Sequence, residues 1–176
     1  MIKINEIYPR LKQIAELREE DDVSTRNDDP FWEMVEGRRL GPPCSRFFGW
    51  TCLEIDPDKG AITVAFDPQP ECLNPAGGIA GGFLAEMLDE TASSAVKATL
   101  SPQEFPTAVE LKVNFLRPAP LGRLIGHAAI VHRGGSIVFV ESELRTPDNQ
   151  LIATSSQTVR IARIKNVVLD FGEHVS

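Results

Sequence analysis

Apolar side chains recur along this chain with two different periods, and the change of period divides it. Ile4, Ile7, Leu11, Ile14 and Leu17 are spaced three and four apart, which predicts an amphipathic helix over residues 4–19. The acidic, polar run 19–29 reads as a linker. Asp29, Pro30 and the segment FWEMV have the form of an N-cap, a first-turn proline and a short helix. Phe31 and Trp32 are its anchors, on the body of the protein or on a second subunit. The GPP run at 41–43 closes this part of the chain.

From Phe47 the pattern becomes that of strands. Residues 50–55 and 61–66 have strand character, with DPDKG between them as a turn. The segment 67–78 is too rich in proline, glycine and asparagine for a regular element. Residues 79–100 then carry the strongest helical pattern in the sequence, broken by SPQEFP. Four alternating segments follow at 108–116, 123–132, 136–145 and 151–161, joined by short turns. Two strands, one long helix and four more strands give an α+β fold. An amphipathic sheet must bury one face, and the helix is its natural cover, so the expected architecture is a curved antiparallel sheet of about six strands around one central helix. The division expected is an N-terminal helical extension and linker (1–46), a single domain (47–164) and a C-terminal tail (165–176).

On a helical wheel Leu84, Met87, Leu88, Thr91, Ala95 and Ala98 form the apolar side, with Glu86, Ser93 and Lys97 opposite, facing water. Asp89 lies between, flanked by Ala85, Ala92 and Val96, and Glu90 occupies the other boundary near Phe83 and Ser94. A carboxylate among small apolar neighbours loses solvation, which suits it to act as a base or nucleophile; a tolerated surface acid is the competing reading. Gly77, Gly78, Gly81 and Gly82 surround the helix start, where N–H groups without Cβ atoms can approach an oxyanion closely; a tight turn is the plainer alternative. No Gly-Lys-Ser/Thr follows, as a P-loop requires, and no Gly-x-Ser-x-Gly is present.

Composition narrows the possibilities further. The 176 residues carry a net charge of −7 and a pI near 5.0, which argues against sequence-independent nucleic-acid binding. Cys44, Cys52 and Cys72 are odd in number and widely spaced, so a disulfide framework or zinc site is not expected, and small buried apolar residues in a reducing compartment are. Clustered metal ligands are absent from the pattern. With no secretory signal and no run approaching about 20 apolar residues, a cytoplasmic protein without membrane association is expected.

The segment NPAGGIAGGFLAEMLDETASSAV (74–96) resembles the signature of hot-dog-fold acyl-CoA thioesterases of the phenylacetate-degradation (PaaI-like) type. That signature runs Asn, Gly, His-Gly-Gly and then a helix with Asp nine residues after the His. VELKVNFLRPAPLGRL (109–124), HRGGSIVFVESEL (132–144) and NQLIATSSQTVRI (149–161) continue the likeness in order. The resemblance implies a hot-dog fold, homodimers with sites at the interface, and dimers that pair into tetramers. It implies hydrolysis of an acyl-CoA, with coenzyme A as part of the substrate and no separate cofactor. Carried over by position, Asp89 is the base or nucleophile, Asn74 positions water or thioester, and the Gly81 N–H polarises the carbonyl. Gly82, Thr107, Arg117 and Arg133 form the substrate-contacting set, with His132 as a further cation. Ala108 is the direct counterpart of the family's hydroxyl residue, which leaves Thr107 as its neighbour. One position departs from the signature: the His of His-Gly-Gly is Ala80, which neither donates a hydrogen bond nor holds a proton. An acyl-CoA-binding protein with weak or no turnover is therefore the alternative function.

Overall fold

The computed structural model describes residues 29–163. The helix expected over 4–19 and the C-terminal tail lie outside the described residues. Two short helices, α1 (Pro30–Val35) and α2 (Pro43–Phe47), lead into β1 (Thr51–Asp56) and β2 (Ala61–Phe66). A single 3-10 turn over Pro70–Cys72 precedes the long helix α3 (Gly81–Lys97). Then come β3 (Glu104–Phe115), β4 (Leu124–Gly134), β5 (Ile137–Arg145) and β6 (Leu151–Arg163). The six strands form one antiparallel sheet in the order β1-β2-β4-β5-β6-β3, with β1 and β3 at the edges. The helix packs across β2 to β6 on one face, which is the hot-dog arrangement expected.

The helix buries the side the wheel assigns to it: Leu84, Met87, Leu88, Ala92, Ala95 and Val96 meet Val64, Phe66, Leu124, Val138, Val140, Leu144 and Val159 in one core. Thr91 belongs to the same face, and its hydroxyl is satisfied by donating to the Met87 carbonyl at 2.6 Å. Opposite it the sheet carries Gly126, where a Cβ would come within 2.5 Å of Thr91 Oγ1, so glycine lets helix and sheet approach.

Three local expectations are corrected. The helix begins at Gly81, not residue 79, because Ile79 makes an isolated bridge with Leu73 and Ala80 serves as the N-cap. Strand β3 begins at Glu104 and runs through Pro106; an edge strand accepts a proline because one row of its backbone groups needs no partner. Lys97 does not face water. It is buried, and its Nζ donates to Asp29 Oδ2 at 2.9 Å and to the carbonyls of Ser101 and Glu104. Asp29 Oδ1 meanwhile caps α1 by accepting from the Phe31 N–H, as its place before Pro30 predicts. The cysteines are free, but only Cys72 is buried; Cys44 is exposed and Cys52 half-buried.

Residues 29–48 thus form a strap along α3. It is tied by Asp29–Lys97 at one end and by Phe47, Phe48 and Phe83 at the other, with ring centroids 5.1–6.0 Å apart. Between these ties the Ser45 hydroxyl donates to Glu90 Oε1.

Candidate active site

The turn before α3 is held by its own backbone and by Asn74. The Asn74 N–H donates to the Gly78 carbonyl, and Asn74 Oδ1 accepts from the N–H groups of Ala76 and Gly78 at 2.9 and 3.3 Å. Its side-chain oxygen is therefore committed to the loop, and its amide N–H groups are what it can offer a ligand. Ile79 donates to the Ala119 carbonyl and Ala80 to the Cys72 carbonyl, which aims the helix start between two loops. Ala80 supplies no side-chain cap. The N–H groups of Phe83 and Leu84 both reach the Ala80 carbonyl, whereas those of Gly81 and Gly82 have no acceptor among the described residues. Two uncapped donors at the positive end of a 17-residue helix suit developing negative charge. The Phe115 ring lies over Gly81, where a Cβ would approach its Cζ to 3.2 Å, and Phe115 is itself half exposed.

Asp89 is two turns further along. Its carboxyl is half-buried, and burial raises its pKa above the ordinary carboxylate value, while the Gln157 amide works in the opposite direction. Gln157 Nε2 donates to Asp89 Oδ1 at 2.9 Å from the inner face of β6. Glu86 is raised as well, by burial and then by the nearby Asp89 charge. Glu90 is pushed up to about 7, first by burial, against the Ser45 hydrogen bond. Three carboxyls on adjacent turns therefore all favour protonation more than free side chains do, and Asp89 differs from the others in holding an amide donor from the sheet.

The remaining predicted residues fall in different places. Arg117 follows the end of β3 near Phe115 and donates to the Leu151 carbonyl at 2.8 Å, so it belongs to the helix-start end. Arg133 donates to Thr99 Oγ1 at 3.0 Å, beside the opposite end of α3. Thr99 is 18 residues beyond Gly81 (99 minus 81), roughly 27 Å along the axis. His132 stacks on Phe139 and is not at the helix start. Thr107 pairs with Arg160 on the outer face, and Ala108 pairs with core residue Val159 on the inner one. Even Asp89 and Gly81 do not meet: eight residues separate them, about 12 Å along one helix, too far to serve one carbonyl.

Gln157, Phe115 and the Glu90–Ser45 contact are not legible as site residues in the sequence reading. The signal for Gln157 is its register: it shares the inward phase of β6 with Ser155 and Val159, where an apolar residue is the norm. A concavity of about 530 Å³, lined by Asn114, His127, Glu141, Glu143, Thr154 and Ser156, lies on the outer face, across the sheet from α3. Among the described residues no group of His, Cys, Asp or Glu is placed to hold a metal ion, and no helix is long and apolar enough to cross a membrane.

Comparison with known proteins adds a family to this geometry. Residues 76–153 match the model of the thioesterase superfamily. The fold is similar to that of a phenylacetic acid degradation-related protein from Ralstonia eutropha JMP134, 32% identical with a TM-score of 0.70, covering 74% of this chain and 98% of that one. A protein of Saccharolobus solfataricus, provisionally named an esterase, is 27% identical over 111 residues, 63% of this chain and 79% of the relative. A Streptococcus mutans UA159 protein solved with acetyl-CoA bound shares the fold at 19% identity and a TM-score of 0.59, covering 66% of this chain and 91% of that one.

Proposed function

The chain belongs to the thioesterase superfamily, in its phenylacetate-degradation (PaaI-like) branch, and is a thioester hydrolase; from that premise we propose that it hydrolyses acyl-CoA, with Asp89 as the catalytic carboxylate. The observation that carries this is the state of Asp89: a half-buried carboxyl, made more basic by burial, with one oxygen held by Gln157. Asp89 takes a proton from a water whose oxygen attacks the thioester carbonyl carbon. The negative charge moves to the carbonyl oxygen and is met by the N–H groups of Gly81 and Gly82. The C–S bond then breaks, the thiolate of coenzyme A takes the proton from Asp89, and the free acid departs.

The 12 Å between Asp89 and Gly81 sets a condition on this reading. The donors that face a given Asp89 come from the helix start of a second copy, so the working unit is at least a homodimer. The edge strand β3 is the contact surface this requires, with Val109 exposed on it. Support for an acyl-CoA comes from the Streptococcus mutans relative with acetyl-CoA bound. Arg117, at the same end as the uncapped helix start, is the cation best placed for a phosphate.

The absence of a histidine at Ala80 favours a specific alternative, binding without turnover. Release of free thiol from a panel of acyl-CoAs, from acetyl through long-chain to aryl, separates the two. Catalysis predicts saturable thiol release from at least one chain-length class. Tight binding of acyl-CoA with no release from any member of the panel contradicts it.

A further inference from the structure

We propose that Gln157 is the residue that positions Asp89 for the reaction, by holding one carboxylate oxygen from the inner face of the sheet. The inference deepens the assignment above and rests on it. Gln157 lies on the floor beneath α3, 3% exposed, in register with Leu111 of β3 and Val140 of β5. Its Nε2 donates to Asp89 Oδ1 at 2.9 Å, while its own Oε1 is buried with no partner among the described residues. That is a poor arrangement for stability alone. An amide with half its hydrogen-bonding capacity unmet is worse in a core than an apolar side chain of equal size. What the amide supplies is directional: it fixes which carboxylate oxygen is occupied and leaves the other without that bond. It also supports the ionised form in a site where burial opposes it. The charged groups next to Asp89 on its helix, Glu86 and Glu90, repel a negative charge there. The sheet side chains bonded to this stretch of helix, Gln157 and Ser142, are neutral. The helix start lies too far along α3 to orient this carboxyl, and the side-chain donor that reaches it is Gln157 of β6.

Positioning and a merely structural role give opposite results for Gln157→Met, which keeps volume and removes the donor. Positioning predicts a kcat lower by about ten-fold with KM changed less than two-fold. The acid limb of the rate profile moves to higher pH, and the melting temperature is unchanged or raised. The Asp89 carboxyl, followed by carbon-13 NMR, titrates at higher pH than in the wild type. Wild-type kcat together with an unchanged Asp89 titration overturns the proposal. Gln157→Glu decides the same question if the methionine variant does not fold. At acid pH its protonated carboxyl can still donate, so its activity, relative to wild type, falls as pH rises; a constant ratio overturns the proposal. The NMR titration needs no turnover. If the wild type releases no thiol, the function fails while the titration still reports whether Gln157 controls Asp89.

Discussion

A β-carbon on Gly82 meets no atom within 4 Å, whereas one on Gly81 meets the Phe115 ring. Gly82 therefore owes nothing to packing, and under the proposed reaction its lack of a side chain leaves room for the thioester at the helix start. Gly82→Ala is expected to fold with unchanged or slightly higher stability, within about 1 kcal/mol. Its kcat/KM for acyl-CoA is expected to fall by at least about ten-fold, since misplacing a substrate by an ångström is costly. Thermal unfolding beside steady-state kinetics checks both halves. Glu90 gives a second residue-scale outcome. Its carboxyl is raised to about 7 from 4.5, so its contribution to stability is fully present below pH 4.5 and is lost as the pH rises through 7. Glu90→Gln stays neutral throughout. Urea unfolding is expected to find the variant close to wild type near pH 4.5 and more stable by about 3 kcal/mol at pH 8. Equal stability at pH 8 contradicts the burial assigned to this carboxyl.

At the scale of elements, one end of the strap formed by α1 and α2 is held by a buried ion pair. Asp29 is 2% exposed and Lys97 9%, so removing either partner strands a charge. Lys97→Met is expected to cost about 3–5 kcal/mol, and adding Asp29→Asn to it should recover part of that loss. A double-mutant cycle in urea measures both. This pair also shows where sequence pattern stops being informative. The wheel places Lys97 on the polar side of α3, correctly, but cannot show that a segment some 70 residues upstream covers that side. The same holds for Glu90, whose partner Ser45 comes from α2. Local periodicity identifies faces, and long-range packing decides which polar faces meet water.

For the whole molecule, the central unmet demand is the separation of Asp89 from the uncapped donors of Gly81 and Gly82. The proposed β3-edge dimer would meet it, so sedimentation should give at least twice the 19.4 kDa monomer mass. A charge at the most exposed large hydrophobic residue of that edge, Val109→Arg, should give monomers that have also lost thiol release. The order of elements, the long helix and the placement of Asp89 among apolar neighbours were all legible in the sequence, because each follows from period and turn chemistry over short spans. The strand through Pro106 was not, since proline reads as a breaker until topology makes β3 an edge. Nor were Gln157 and Phe115, which acquire meaning only when β6 and β3 are laid against α3. For Arg133 and Arg117, adjacency in the sequence to site-like motifs said nothing about which end of the helix each would reach.

Asp89→Asn is the most direct test of the account, because it keeps shape while removing the charge and the ability to take a proton. Measured side by side with the wild type on its best acyl-CoA, with matching circular dichroism and dimer mass, kcat is expected to fall by at least about a hundred-fold while acyl-CoA still binds. Wild-type turnover in this variant contradicts the assignment of Asp89.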